Sequence, residues 1–239
     1  MHDVVVSGAE ARVVMAERAL SAPALTERQG LLYMAWAGSD FYLNIASADD
    51  GTTFGGKQMI PHRSYRSDVT PDYIGSGSTP AMQVRQVGLA PALAVGPDGL
   101  YLAWTGTDSQ LHVMRTWLGE GGHSVLSERS GSGPALGIWG NEAVLAWAGT
   151  DGRVNLVTVA GAAPAKRTFD ESISGAPAMC RVGDDHLLAW SGGDQHLKVM
   201  AARGGRFGAP VRLEETSHHA PALSSRSSPS VCPTSSASA

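Results

Sequence analysis

Cysteine, clustered positive charge and long hydrophobic runs are all scarce in this sequence of 239 residues. Its two cysteines, Cys180 and Cys232, cannot form a disulfide framework, and neither lies in a CxxC pair or beside clustered histidines. We therefore expect no structural metal and no cofactor. The formal net charge is -4, which argues against nucleic acid as a partner because no basic surface is available to gather phosphates.

Signals for membrane insertion and export are also lacking. No stretch approaches the roughly 18 consecutive apolar residues of a membrane-spanning helix. Residues 1–8 lack a charged segment followed by about 7 to 15 apolar residues, the pattern of a signal peptide. The sequence therefore predicts no membrane span and, by default, a cytoplasmic protein, with secretion by another route left open.

What the sequence does contain is an internal repeat. Glycine is abundant, at 29 residues, and charged residues make up only 17%, a balance that favours short strands joined by tight turns. The pattern Ala-Trp-x-Gly-x-Asp occurs four times, at Trp36, Trp104, Trp147 and Trp190. Pro-Ala-Leu/Met occurs five times, at Pro23, Pro91, Pro134, Pro177 and Pro221. Both markers recur mostly every 43 residues.

Each repeat has the hydrophobic pattern of four short antiparallel strands, here called A to D in chain order. A four-stranded unit of roughly 40 to 50 residues repeated in tandem is the blade of a β-propeller, so we expect an all-β fold. The Gly-x-Asp segment predicts the turn between strands B and C, where the aspartate can bond its own backbone. The tryptophan is expected to pack between neighbouring blades, with its indole N–H on a fixed partner.

The blade count depends on the chain ends. We expect about five blades in a domain of residues 1–224, the fifth being assembled from both termini: residues 2–6 and 12–15 as strands C and D, and Pro221 to Leu223 as strand A. Strand B of that blade is missing, so the blade is incomplete and its open edge could cause self-association. Residues 225–239 read as a disordered Ser-rich tail, or as the result of a reading-frame change.

The longer first interval points to an insertion. The tryptophans of the first two repeats are 68 residues apart, which leaves a polar, turn-rich stretch at about residues 65–87. We expect this stretch to be a long loop.

One segment resembles a motif of a known family. Residues 47–54, Ser-Ala-Asp-Asp-Gly-Thr-Thr-Phe, match the Asp-box, and together with the repeat they resemble the sialidase-like (neuraminidase-repeat) bacterial β-propellers of lectin-like tandem-repeat type. The resemblance implies the fold. It does not imply activity, because the Asp-box of that family is a structural hairpin turn.

Sialidase chemistry would need an arginine cluster, a tyrosine nucleophile assisted by a glutamate, and an acidic residue for proton transfer. The family's arginine motif is absent. The candidates of suitable type lie in or beside the predicted loop: Tyr73, Arg66, Arg63 and Asp72. A polar surface loop of ordinary composition explains the same residues.

Three functional hypotheses follow. The first is a non-catalytic, lectin-like protein that binds glycans. Its candidate contacts are the turn aspartates and two tryptophans outside the repeat: Asp40, Asp108, Asp151, Asp194, Trp117 and Trp139. The second is a sialidase-like glycoside hydrolase, and the third is a protein-interaction scaffold or a fragment of a longer repeat protein.

Overall fold

The computed structural model describes residues 17–50, 53–72, 81–116, 122–159, 165–204 and 206–224. These residues contain strands and turns and no helix, which confirms the predicted all-β class. No described segment is therefore a helix long and apolar enough to cross a membrane. The chain divides into two compact units, Met1–Arg129 and Ser130–Ala239.

Unit 1 contains two four-stranded antiparallel sheets and a hairpin. The first sheet has the order β1-β2-β3-β4, from β1 (Ala24–Arg28), β2 (Leu31–Ala37), β3 (Tyr42–Ala48) and β4 (Gly55–Arg63). The hairpin pairs β5 (Tyr65–Asp72) with β6 (Ala81–Gly88). The second sheet consists of β7 (Ala92–Gly96), β8 (Gly99–Thr105), β9 (Gln110–Thr116) and β10 (His123–Arg129) in sequential order.

Unit 2 repeats the same topology. Its first sheet consists of β11 (Ala135–Trp139), β12 (Glu142–Ala148), β13 (Arg153–Thr158) and β14 (Lys166–Ser172). Its second sheet consists of β15 (Ala178–Val182), β16 (Asp185–Ser191), β17 (His196–Arg203), the short β18 (Arg206–Phe207) and β19 (Val211–Thr216). Both β18 and β19 pair with β17, so β19 occupies the place predicted for strand D.

The two sheets of each unit pack through their first strands and share a core. In unit 1, β1 lies beside β7, and in unit 2, β11 lies beside β15. The core of unit 1 combines Leu43 and Ile45 of the first sheet with Leu102 and Trp104 of the second. Within each strand these side chains occupy alternate positions, as the period-two pattern predicts, while the inner strands bury the intervening residues as well.

The four repeat tryptophans occupy equivalent, buried positions. Trp36, Trp104, Trp147 and Trp190 are each at most 2% exposed. Trp104 belongs to the core shared by the two sheets of unit 1, and Trp190 to the core shared by the two sheets of unit 2. The expected packing between neighbouring sheets is therefore present for Trp104 and Trp190, whereas Trp36 packs with Met34, Ala46 and Phe54 of its own repeat.

The expected partner of the indole N–H is not found for two of these rings. The Nε1 atoms of Trp36 and Trp190 are buried and have no hydrogen-bond partner among the described residues. Among the described residues the prediction of a fixed partner is therefore not met for either ring.

The insertion is also different from its prediction. The stretch expected to be a long loop forms the hairpin β5–β6, with Tyr65 opposite Gly88 and Asp72 opposite Ala81. Its turn, residues 73–80, lies outside the described residues. A two-stranded hairpin has no buried face to impose an alternation of apolar and polar residues, so its sequence reads as a loop.

The fifth blade is not built by the described residues. Residues 221–224, where its strand A was expected, are in no strand. The segments 2–6 and 12–15 and the tail 225–239 lie outside the described residues. The number of blades and self-association through an open edge stay predictions.

Candidate functional site

The turn between strands B and C has the same structure in all four sheets. The carboxylate of each turn aspartate accepts a hydrogen bond from the backbone N–H two residues later, at 2.9 to 3.3 Å. The aspartates are Asp40, Asp108, Asp151 and Asp194. This is the turn chemistry that the sequence predicts, and it occupies one carboxylate oxygen at every repeat.

The glycine of each turn leaves space for a polar side chain of strand C. A Cβ at Gly38 would lie 2.8 Å from Asp40 Oδ1 and 3.0 Å from Asn44 Nδ2. The same obstruction occurs at Gly106, Gly149 and Gly192, and the side chains of strand C involved are His112, Asn155 and Lys198. Each of these polar residues is also the cross-strand partner of the repeat tryptophan. The backbone is therefore constant at this end of the sheets, while the chemistry beside the tryptophan varies.

In unit 1 this end of the sheets forms a cavity of about 410 Å³, which we call the histidine cleft. Its lining consists of Tyr42, Pro61, His62, Arg63, Tyr65, Trp104, Gly106, Thr107, Asp108 and His112. Cavities of about 300 to 1,000 Å³ are typical of small-molecule sites. The lining combines the end of β4, the start of β5 and the turn between β8 and β9, so both sheets and the hairpin contribute.

Two histidines of the lining, His62 and His112, cluster with Trp104 and with a third histidine, His123, that lies behind the lining. The rings of His112 and His123 stack on Trp104 at centroid distances of 5.1 and 5.3 Å, and His62 lies 4.4 Å from His123. His112 Nδ1 and His123 Nε2 are 3.0 Å apart, and His112 Nε2 is 3.3 Å from Asp108 Oδ1. Because a carboxylate only accepts, we assign the proton to His112 Nε2, and His123 Nε2–H then donates to His112 Nδ1.

The surroundings of His62 and His123 favour the neutral form of both rings. Burial lowers the pKa of His62 below its ordinary value of 6.5, and the charge of His112 lowers it further. Burial, and then the charges of His62 and His112, lower the pKa of His123 in the same way. Among the described residues no group of histidine, cysteine, aspartate or glutamate side chains has a geometry that could hold a metal ion.

Asp108 remains ionised in this setting. Burial raises its pKa, but hydrogen bonds from the Gln110 backbone and from His112, together with the charge of His112, outweigh burial and lower the pKa below 3.8. On the opposite wall the Arg63 guanidinium lies 4.4 Å from the centre of the Tyr42 ring. Tyr65 packs on Phe41 at 4.8 Å.

The predicted site residues are only partly brought together. Arg63 and Asp108 line the same cleft. Arg66 instead forms an ion pair with Asp68 at 2.9 Å, away from the lining. Asp40, Asp151 and Asp194 make the same turn as Asp108 but line neither this cleft nor the larger cavity of unit 2. Tyr73, Trp117 and the side chain of Asp72 lie outside the described residues.

Trp139 is at the end of β11 in unit 2, at the opposite end of the sheets. Its half-buried ring lies 5.0 Å from both His186 and Phe207, edge to face. It lines a separate cavity of that unit.

Sequence reasoning places His62 only among the polar residues of the predicted loop, and it missed His112 and His123. Their positions follow no common spacing, and His62 belongs to a different sheet from the other two. His112 and His123 could have been paired from the predicted hairpin between strands C and D, which places them diagonally on one face. The contact with His62 depends on the packing of two sheets.

No protein-family model and no curated protein sequence matches the chain. Among solved structures it is similar to the Bacteroides ovatus xyloglucan PUL protein GH43B, with 13% identity and a TM-score of 0.50, covering 87% of this chain and 42% of that one. It is also similar to a GH43_1 enzyme from Xanthomonas citri (13% identity, TM-score 0.46, 84% and 77% covered). A third similar structure is the Aleuria aurantia lectin AAL (10% identity, TM-score 0.43, 86% and 84% covered).

At these identities the similarity concerns the fold alone. Together with the successive four-stranded sheets, it confirms the predicted β-propeller fold.

Proposed function

We propose that this chain is a non-catalytic binding protein whose histidine cleft holds an uncharged sugar unit. The observation that carries the proposal is the combination of half-buried tyrosine rings with polar groups fixed by their neighbours in one cavity. Aromatic rings pack against the apolar faces of sugars, and fixed donors and acceptors match their hydroxyl groups.

The charges of the cleft support an uncharged ligand. Arg63 and the ionised Asp108 offset each other among the described lining residues, and the lowered pKa values keep His62 and His123 neutral at pH 7. A neutral imidazole offers one donor and one acceptor, which suits a hydroxyl group. A sialic acid would need several cations around its carboxylate, whereas Arg63 is the one arginine of the described lining.

The carboxylates favour binding over hydrolysis. Most glycoside hydrolases use two carboxyl groups, about 5 to 9.5 Å apart, one of which must carry a proton. Among the described lining residues Asp108 is the only acidic side chain, and its lowered pKa keeps it ionised. The sialidase-like hydrolase remains the alternative, with the candidate residues Tyr73, Arg66, Arg63 and Asp72 in or beside the predicted loop as its motivation, and an interaction scaffold is the third hypothesis.

Binding to a glycan array, followed by calorimetric titration of the best neutral ligand, tests the proposal. Arg63→Ala should weaken binding about tenfold, because a hydrogen bond from a charged group contributes about 1.5 to 3 kcal/mol. The matched control is Arg66→Ala, an exposed arginine three residues further along that lines neither cavity; its affinity should stay unchanged.

Two results would contradict the proposal. One is a blank array with a folded sample. The other is release of product from a fluorogenic sialoside, lost on Tyr73→Phe or Arg66→Ala, which would identify the hydrolase instead.

A further inference from the structure

A second cavity, of about 730 Å³, lies in unit 2 at the strand ends that carry the turns between strands A and B. We call it the tryptophan cavity. The lining residues that bear on its chemistry are Trp139, Phe207, Arg167, Arg181, His186 and Glu142. Its aromatic wall is continuous, because Phe207 contacts Trp139 at 5.0 Å and Phe169 at 4.9 Å.

Arg167 is held in place by this wall. Its guanidinium lies 4.9 Å from the centre of the Phe169 ring and 5.1 Å from that of Phe207. It forms no ion pair with any described residue. A planar guanidinium stacked on aromatic rings has lost part of its side-chain entropy in advance and presents parallel N–H donors, the arrangement that binds a carboxylate in two hydrogen bonds.

The remaining charges of the cavity leave it positive. The described lining contains three cationic side chains and two acidic ones: Lys166, Arg167 and Arg181, and Glu142 and Asp184. Arg181 is paired with Asp184 at 3.3 Å, so these two charges largely cancel. An anionic ligand would restore the balance.

His186 provides a neutral polar group in the same wall. It is 6% exposed, and its Nε2 is 2.7 Å from the carbonyl oxygen of Ile138, so Nε2 carries the proton. Its Nδ1 is therefore an acceptor, and it is buried without a partner among the described residues. A buried acceptor without a donor costs free energy, so this ring marks a locally unsatisfied wall of the cavity.

We propose that the tryptophan cavity binds a sugar that carries a carboxylate, with the carboxylate on Arg167 and the ring against the aromatic wall of Trp139 and Phe207. This site is separate from the histidine cleft in location, in charge and in ligand. It does not depend on the function proposed for the cleft.

Calorimetric titration of the full chain with methyl β-D-glucuronide and methyl β-D-glucoside tests the proposal. The glucuronide should bind at least about tenfold more tightly, because the two ligands differ only in the carboxylate that Arg167 would hold. Arg167→Gln should weaken glucuronide binding about tenfold, and Arg167→Lys should restore only part of the loss, because lysine keeps the charge and loses the planar pair of donors.

Arg153→Gln, at an exposed arginine of unit 2 that lines neither cavity, is the matched control, and it should leave glucuronide binding unchanged. Arg167 is exposed on β14, and the unfolding midpoint of each variant verifies that its substitution leaves the fold intact. Equal affinity for glucoside and glucuronide, or an unchanged affinity in Arg167→Gln, would overturn the proposal. Benzoate binding as tightly as the glucuronide would overturn its sugar part.

Discussion

The histidine cleft is formed by the two sheets of unit 1, and the tryptophan cavity by the two sheets of unit 2. The cleft lies at the strand ends that carry the turns between strands B and C, whereas the cavity lies at the ends that carry the turns between strands A and B. At the end of the cleft, the turns between strands B and C are nearly identical in all four sheets. At the end of the cavity, the turns between strands A and B share no such motif; they contain residues 29–30, 97–98, 140–141 and 183–184.

The difference separates the parts of the repeat that are constant from the parts that vary. A fixed turn holds the backbone of strand C. The position beside the tryptophan is Asn44 in the first sheet, His112 in the second and Lys198 in the fourth, so its chemistry varies while the sheet stays the same. The two-residue turns at the other end share no side-chain motif, and the cavity there depends on aromatic residues at positions that the repeat does not specify, such as Trp139 and Phe207.

The comparison is tested most strongly by the two tryptophans. Trp104→Ala should lower the free energy of unfolding by about 3 to 5 kcal/mol, because the buried ring fills the core between two sheets and its removal leaves a cavity. Trp139→Ala should cost about 1 to 2 kcal/mol, because its ring is half-buried. Urea denaturation of both variants measures the difference, and equal losses would show that the repeat position has no special structural weight.

The fixed turn is tested by a glycine. In Gly149→Ala the added methyl group would collide with the side chains of Asp151 and Asn155, so we expect a loss of about 1 to 3 kcal/mol of unfolding free energy. The matched control is Gly175→Ala, where a Cβ meets nothing within 4 Å and the backbone is not left-handed. The interpretation fails if the two variants are equally stable.

The smallest expected effect concerns pH. The folded pKa values of His62 and His123 lie below 6.5, so the unfolded chain binds more protons as the pH falls below that value. Stability from these groups is fully present above pH 6.5 and is lost progressively at lower pH. The thermal unfolding midpoint should therefore decrease as the pH is lowered from about 7.5 to about 5.

The variant His123→Gln should flatten this dependence, because it removes one of the titrating rings and the repulsion on its neighbours. His186 of unit 2, whose pKa burial also lowers, remains in the variant and should retain a part of the slope. An unchanged slope in His123→Gln would show that the cluster does not govern the acid response.

Much of the fold could be predicted because the sequence states it repeatedly. The spacing of Trp36, Trp104, Trp147 and Trp190 gave the sheet unit, and the turn aspartates form the predicted bonds. The hairpin β5–β6 could not be predicted, because strands without a buried face carry no periodic signal. Of the histidine cleft, Asp108 and Arg63 could be named in advance. The proximity of His62 to His112 could not be predicted, since these residues lie 50 positions apart in different sheets.

By itself the sequence determined the repeating sheet, the place of its buried tryptophan and the chemistry of its turn, because these depend on neighbours within a few residues or across one hairpin. Only the tertiary structure decided which side chains of different sheets meet: the three histidines over Trp104, and Arg167 stacked on Phe169 and Phe207. The physical reason is that contacts between sheets depend on the packing of two apolar faces, and no local pattern in the chain records which polar residues this packing brings together at their edges.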